Sequence, residues 1–224
     1  HLERKKQREC SRRSKKLKGE DATLKRGRVS VAFFATGNAH KYHEARRVLA
    51  RFGIATAMLK VKAVEIQDDD IKTVAETSAL ETARKSGLPV FVEDAGLFIR
   101  ALNGFPGPYS SYVHRTIGSV GILKLMERVS ERAAFFQSVV AFCSPDKKAE
   151  PLCFEGKVHG KIKYEEMGDQ GFGFDPIFQP VGSAKTFAEM TIEEKNRFSH
   201  RAKAVRKFAE WYKKLQHSKH SFAT

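Results

Sequence analysis

With 224 residues, 41% of them hydrophobic, the chain can bury one substantial core. Its longest apolar runs, at residues 29–35 and 135–143, are strand-sized and fall short of the roughly 18 to 20 residues that cross a bilayer, so a membrane-spanning helix is excluded. The formal net charge of +15 invites a nucleic-acid function, but residues 1–28 hold twelve Lys/Arg against four Asp/Glu while residues 29–224 hold twenty-nine against twenty-two.

More than half of the excess charge therefore sits on an arm. From His1 to Arg28 there is little apolar content and no helical or strand periodicity, which predicts disorder in isolation. A solvated tail without a partner, a targeting segment and a nucleic-acid-binding tail all fit that composition. The three cysteines, Cys10, Cys143 and Cys153, form neither a CxxC pair nor a zinc spacing, and their odd number argues against a disulfide framework. Buried free thiols in a reducing compartment, the cytoplasm, fit best.

The domain is expected at 29–215, with a short tail at 216–224. Val29 to Ala35 is a near-continuous apolar run ending at Thr36-Gly37-Asn38, the pattern of a buried strand. Ala45, Val48, Leu49 and Phe52 then follow helical spacing up to Gly53. A second strand is predicted at about 55–61, and a second helix from Asp70 with Ile71, Val74, Ala75 and Ser78 on one face. Val90-Phe91-Val92 reads as a short strand ending at Glu93-Asp94-Ala95-Gly96. Gly104 to Pro108, with two prolines and two glycines, reads as a loop, and residues 117–128 as one helix. Strands at about 133–143 and 152–158 flank the turn Ser144-Pro145-Asp146. After a glycine-rich stretch at 168–173, Thr191 and Glu194 form a capping box, opening a helical region that buries Val205, Phe208, Ala209 and Tyr212. Early alternation followed by a hairpin predicts an α/β fold with a mixed sheet flanked by helices.

Several of these segments carry chemistry. Thr36-Gly37-Asn38 at the start of a helix brings backbone N–H groups and the positive helix end together, an anion site to which Lys41 adds a charge; Asn38 as a simple cap is the plainer alternative. No GxxxxGK[ST] loop is present. Glu93 and Asp94 follow buried residues at a strand end, where paired carboxylates attract a cation such as Mg²⁺, or merely cap a turn. Glu65, between Val64 and Ile66, is a third acid in apolar surroundings. Gly171-Phe172-Gly173-Phe174-Asp175-Pro176 can hold a flat base between rings while Asp175 reads ring N–H groups, or can plug a core. Lys195 with Ser199-His200-Arg201 offers donors at a helix entrance, or a solvated basic face.

Taken in order, Thr36-Gly37-Asn38-Ala39-His40-Lys41, Val64-Glu65-Ile66-Gln67, Val92 to Leu97, Gly104-Phe105-Pro106-Gly107, Gly171 to Phe178, Thr186-Phe187-Ala188-Glu189-Met190 and Ser199-His200-Arg201 resemble the inosine/xanthosine triphosphate pyrophosphatase family, in its archaeal form. The resemblance runs from about Val29 to Leu215. It implies an elongated, two-lobed homodimer with the active site in a central cleft. On that resemblance, Thr36, Gly37, Asn38, Ala39, His40 and Lys41 bind phosphate; Asp94 accepts a proton and, with Glu65, holds Mg²⁺, Glu93 assisting; Ala95 meets the substrate through its backbone; Phe172, Gly173, Phe174 and Asp175 line the base pocket; and Lys195, His200 and Arg201 complete it. The implied reaction converts ITP, dITP or XTP to the monophosphate and pyrophosphate. Two departures stand out. Many bacterial relatives carry Asp at the Glu93 position and a lysine within the helix that here reads Glu76-Thr77-Ser78-Ala79-Leu80, which leaves the cation for the departing pyrophosphate unassigned. Rival readings are a related enzyme acting on pyrimidine or methylated nucleotides, and a nucleic-acid binder using the arm, although the arm lacks interleaved aromatics and the domain lacks a recognition motif.

Overall fold

The computed structural model describes residues 30–61 and 66–221, with side chains to residue 216; the arm at 1–28, with Cys10, and Glu65 lie outside the described residues. In chain order the elements are β1 (Ser30–Ala35), α1 (Ala39–Ala50), β2 (Ile54–Leu59), α2 (Ile71–Ser86), β3 (Val90–Ile99), β4 (Pro106–Gly107), α3 (Ser110–Thr116), α4 (Gly118–Leu125), β5 (Ala133–Cys143), β6 (Leu152–Ile162), β7 (Phe178–Pro180), α5 (Ile192–Phe198) and α6 (His200–Ser221). They build one mixed sheet in the order β2-β1-β3-β5-β6-β7, with β4 on the edge of β3. β1 runs parallel to β2 and β3, and every other pairing is antiparallel.

Local chemistry explains the boundaries. The Asn38 side chain accepts from the backbone N–H groups of His40 (2.9 Å) and Lys41 (3.2 Å), which starts α1. Asp70 caps α2 through Lys72 N–H, and Gly87, at φ 65°, ends it in the left-handed conformation. Thr191 and Glu194 form the expected reciprocal box at α5.

The long strands pass through two lobes. In the first, β1 and β3 carry helices on both faces: Phe34, Phe91 and Val140 pack under α1 and α6, whereas Val90, Val92 and Val139 pack under α2. Further along, Leu97, Ile99, Phe136, Val158 and Ile162 enter a second core with Ile122, Ile177, Phe178 and Phe187. An α/β fold built on a mixed sheet with flanking helices is thus what the chain adopts.

Several elements depart from the expected boundaries, among them β6, which runs on to Ile162. β3 continues to Ile99, because Leu97 and Ile99 bury against the second core, so Glu93 to Gly96 lie mid-strand. Pro106 and Gly107 pair briefly with Phe98 and Leu97 inside the segment read as a loop. The helix expected at 117–128 is instead two helices meeting at Gly118, whose φ of 63° breaks the turn. The last helix continues through Ser221. Cys143 and Cys153 are free; burial, reinforced by Glu76, pushes the Cys153 thiol up to about 12, so it is a poor nucleophile.

Gly156 on β6 sets the position of α6. A Cβ there would stand 2.1 Å from the His200 carbonyl oxygen and 2.6 Å from the Ala204 nitrogen, so helix backbone rests directly on the strand. We expect Gly156→Ala to cost about 1 to 3 kcal/mol or more, the usual range for overpacking. Urea unfolding measures this, and a midpoint equal to wild type would show that α6 yields freely.

Candidate active site

The sheet has an opening at its centre. β1 makes its last pairing with β3 at Phe34–Phe91, β4 joins the same edge at Leu97, and among the described residues no strand pairs with that edge of β3 between them, while β5 pairs with its other edge throughout. Thr36-Gly37-Asn38 turns at the rim of this opening, with the Thr36 hydroxyl accepting from Asn38 N–H at 3.1 Å. From α1, Lys41 reaches across it: its Nζ donates to the Glu93 carbonyl at 2.8 Å. Backbone groups alternate along a strand, so Ala95, two residues on, also faces the opening. Gly37, Ala39 and His40 are exposed at the rim, and Thr36, Asn38 and Lys41 half-buried.

Glu93 and Asp94 part company here. Strand alternation sends Glu93 to the α6 face with Phe91, and Asp94 to the α2 face with Val92. The cations that Glu93 needs are therefore protein side chains. Its carboxylate lies 3.1 Å from Lys41 Nζ and 3.1 Å from Arg201 Nε, and it accepts from the Ser138 hydroxyl at 2.6 Å. Burial alone would raise its pKa, but Arg201 and then Lys41 hold it well below the usual carboxylate range. A neighbouring pair of metal-binding carboxylates is thus not what this strand presents; Asp94, half-buried, projects from the other face.

From Glu93 a chain of alternating charges leads to the aromatic loop. Arg201 donates to Glu44 at 2.6 Å, Glu44 accepts from Lys195 at 2.6 Å, and Lys195 donates to Asp175 at 2.6 Å. Burial works against charge on Glu44, yet Arg201 and Lys195 lower its pKa; burial likewise opposes the Lys195 ammonium, which Asp175 and Glu44 hold protonated. Lys41, Glu93, Arg201, Glu44, Lys195 and Asp175 thereby form a neutral ladder from the turn to the loop. His200 and Arg201 are each only 2% exposed, which rules out the solvated basic face.

The two aromatics of the loop take different roles. Phe172 sits above the ladder, its ring centroid 5.0 Å from Lys195 and 5.2 Å from Arg201, and stacks on His40 at 5.2 Å. Asp175 accepts from the Phe172 N–H at 2.9 Å and so fixes the loop, with Gly173 at φ 64° turning the chain between them. Phe174 points into the second core, edge-on to His114 at 5.2 Å. The core-plug reading holds for Phe174, and with Asp175 committed to Lys195 and the Phe172 N–H the loop does not present two rings facing one another.

His200 is stacked on Phe136 at 4.6 Å and 9°, and its Nδ1 has no hydrogen-bond partner. Burial, then the charge of Arg201, holds its pKa well below 6.5, with Lys195 and Lys41 acting in the same direction and Glu93 against. Unfolded chains bind the proton near 6.5 and the folded protein does not, so stability is full above 6.5 and falls as pH drops towards the folded value, by about 1.4 kcal/mol per pH unit. The lowered Glu93 and Glu44 add to this only below about 4.5. We expect urea midpoints to fall from pH 7 to 5.5, and His200→Gln to remove most of that slope. An unchanged slope in the variant would exclude His200 as its source.

The sequence reading missed Glu44, Ser138 and Asn196. Glu44 follows Lys41 by three residues and precedes Ala45 on the buried stripe, so its spacing already pointed inward. Ser138 and Asn196, the latter donating to the Glu44 carbonyl at 3.2 Å, leave no signal in a single sequence.

Comparisons with known proteins give the family and the fold. Residues 32–211 match the Ham1 family. A dITP/XTP pyrophosphatase of Methanopyrus kandleri is 52% identical over 180 residues, spanning 80% of this chain and 95% of the relative. One from Thermococcus kodakarensis is 49% identical over 180 residues, 80% of this chain and 96% of its own. A HAM1 protein from Coxiella burnetii has the same fold, with a TM-score of 0.72, 30% identity, and coverage of 81% of this chain and 97% of its own. With the fold and a match over most of its length in accord, the chain belongs to the Ham1 family.

Proposed function

We propose that the chain hydrolyses nonstandard purine nucleoside triphosphates, ITP, dITP and XTP, to the monophosphate and pyrophosphate, and so cleanses the nucleotide pool. The observation that carries this reading is the buried ladder joining the Thr36–Lys41 turn to the Phe172–Asp175 loop, a span that suits a molecule with polyphosphate at one end and a flat base at the other. Relatives near 50% identity that bear the name dITP/XTP pyrophosphatase support it. Action in the cytoplasm as a homodimer belongs to the same reading. Among the described residues no helix is long and apolar enough to cross a membrane.

In this reading Thr36 to Lys41 hold phosphate oxygens and the Ala95 backbone holds the substrate at the edge of β3. Asp94 takes a proton from water, the water oxygen bonds to the α-phosphorus, and the bond to the bridging oxygen breaks to release pyrophosphate. Mg²⁺ asks for one or two carboxylates, with phosphate and water elsewhere. Asp94, with Glu65, fits that donor set, while Glu93, committed to Lys41 and Arg201, does not. When bound, the ion would neutralise charge on the triphosphate. Phe172 covers the base. His200 and Arg201 donate to its 6-keto oxygen, and Lys195 and Asp175 complete the pocket.

A 6-amino group turned towards those donors leaves buried groups unpaired, a mismatch that can lower kcat/KM by about 10⁴-fold. Pyrophosphate release is therefore expected to be fast with ITP, dITP and XTP, to be at least about 100-fold slower with ATP, and to depend on Mg²⁺. Comparable turnover of ATP would refute the base assignment. Preference for a pyrimidine triphosphate would favour the rival enzyme instead.

A further inference from the structure

Phe172 lies directly over two of the cations that complete the base pocket, its ring centroid 5.0 Å from Lys195 Nζ and 5.2 Å from Arg201 Cζ. A purine between the ring and those cations needs van der Waals contact on both of its faces, about 3.5 Å each and about 7 Å together. The ring must therefore move by about 2 Å before a base can lie beneath it. Two contacts hold it down. The cations attract the face of the ring, and the exposed His40 imidazole stacks on it, with centroids 5.2 Å apart and planes at 22°.

The helix α1 places His40 for this contact. Its backbone N–H is fixed by the Asn38 cap at 2.9 Å, and Glu44, one turn further along the same stripe, accepts from Lys195 and Arg201 at 2.6 Å each. One stripe of α1 thus holds both the cations and the ring that covers them. On the other side, the loop is anchored through its backbone. Asp175 accepts from the Phe172 N–H at 2.9 Å, and Gly171 is wedged against the same carboxylate, since a Cβ there would stand 2.2 Å from Asp175 Oδ2. Gly173, at φ 64°, has open space where a Cβ would stand. The loop can stay tied to Asp175 while the Phe172 side chain turns outward, and the stack on His40 is the contact that breaks.

We propose that His40 is a positioning residue for the base: its ring latches Phe172 over Lys195 and Arg201 and must release it before a purine enters. The inference rests on the base assignment made above for Phe172. It gives the His40 side chain a role at the base end of the site, while its backbone stays in the phosphate-binding turn. A stack of this kind shifts an open–closed balance by about 2- to 10-fold. A ligand that binds only the open form loses affinity in proportion to the closed fraction, so the latch weakens the binding of any base without choosing between them.

The indole introduced by Phe172→Trp, in a Trp211→Phe background, reports the latch without any ligand. Adding His40→Ala should shift its emission to the red and increase its quenching by acrylamide, and His40→Tyr, which keeps a ring, should leave both as they were with histidine. Calorimetric titration with inosine, which carries no phosphate, then tests the pocket in chains that keep Phe172. His40→Ala should bind it about 2- to 10-fold more tightly than wild type, and His40→Tyr as wild type does. A purely structural role at the start of α1 would produce neither pattern, because the Asn38 cap uses only the His40 backbone. An indole equally shielded with and without the imidazole, or inosine bound by His40→Ala no more tightly than by a wild type that binds it, would overturn the latch. An indole that responds as expected beside chains that all fail to bind inosine would uphold the latch and count against the base assignment instead.

Discussion

Asp94→Asn is expected to lower pyrophosphate release from ITP by about 10³-fold or more while the protein stays folded. The substitution keeps shape and removes both the basic oxygen and the negative charge. Loss of a positioned base alone costs about 10²- to 10⁴-fold, and loss of a metal-binding oxygen adds to it. Asp94 is half-buried on the α2 face, so the isosteric substitution leaves intact the ladder that ties α1, α5 and α6 together. Glu93→Gln makes the contrast: it removes the charge that faces Lys41, Arg201 and Ser138, so it should destabilise the fold as well as slow turnover. Thermal melts beside single-turnover rates separate the two carboxylates. Activity above a tenth of wild type in Asp94→Asn, or a large fall in its melting temperature, would remove Asp94 from the proton-accepting role.

The contrast between those two residues also marks where the sequence is legible and where it is not. Periodicity located β1, α1, α2, β5 and α6, because each buries one stripe and its capping residues mark its ends. It ended β3 too early, since Glu93 and Asp94 look like a strand end when their compensating cations are 52 and 108 residues away in Lys41 and Arg201. A charged residue mid-strand is readable only with its partner in view. The same limit explains Glu44: the helical stripe showed that it faced inward, but only the packing of α5 and α6 on α1 showed that it bridges Lys195 and Arg201. Phe172 and Phe174 share one motif and separate in space, a distinction that depends on Gly173 and on the second core.

Arg201→Met should be the most destabilising single change at the site. The guanidinium is 2% exposed and serves Glu44 and Glu93 together, so its loss strands negative charge in the protein interior. Removing one partner of a buried pair costs about 3 to 5 kcal/mol. For a chain of this length that corresponds to a fall of about 10 °C in melting temperature. Methionine roughly fills the space, which keeps a cavity from dominating the result. The defect should also be repairable: Arg201→Met/Glu93→Gln leaves Glu44 on Lys195 and removes the stranded carboxylate, and is expected to recover at least half of the lost stability. Coupling of that size marks an electrostatic unit, because contributions from independent sites add. If the double variant were instead as unstable as the two single losses summed, Arg201 would be holding α6 in place by packing, and the ladder would not be the element that joins the two ends of the site.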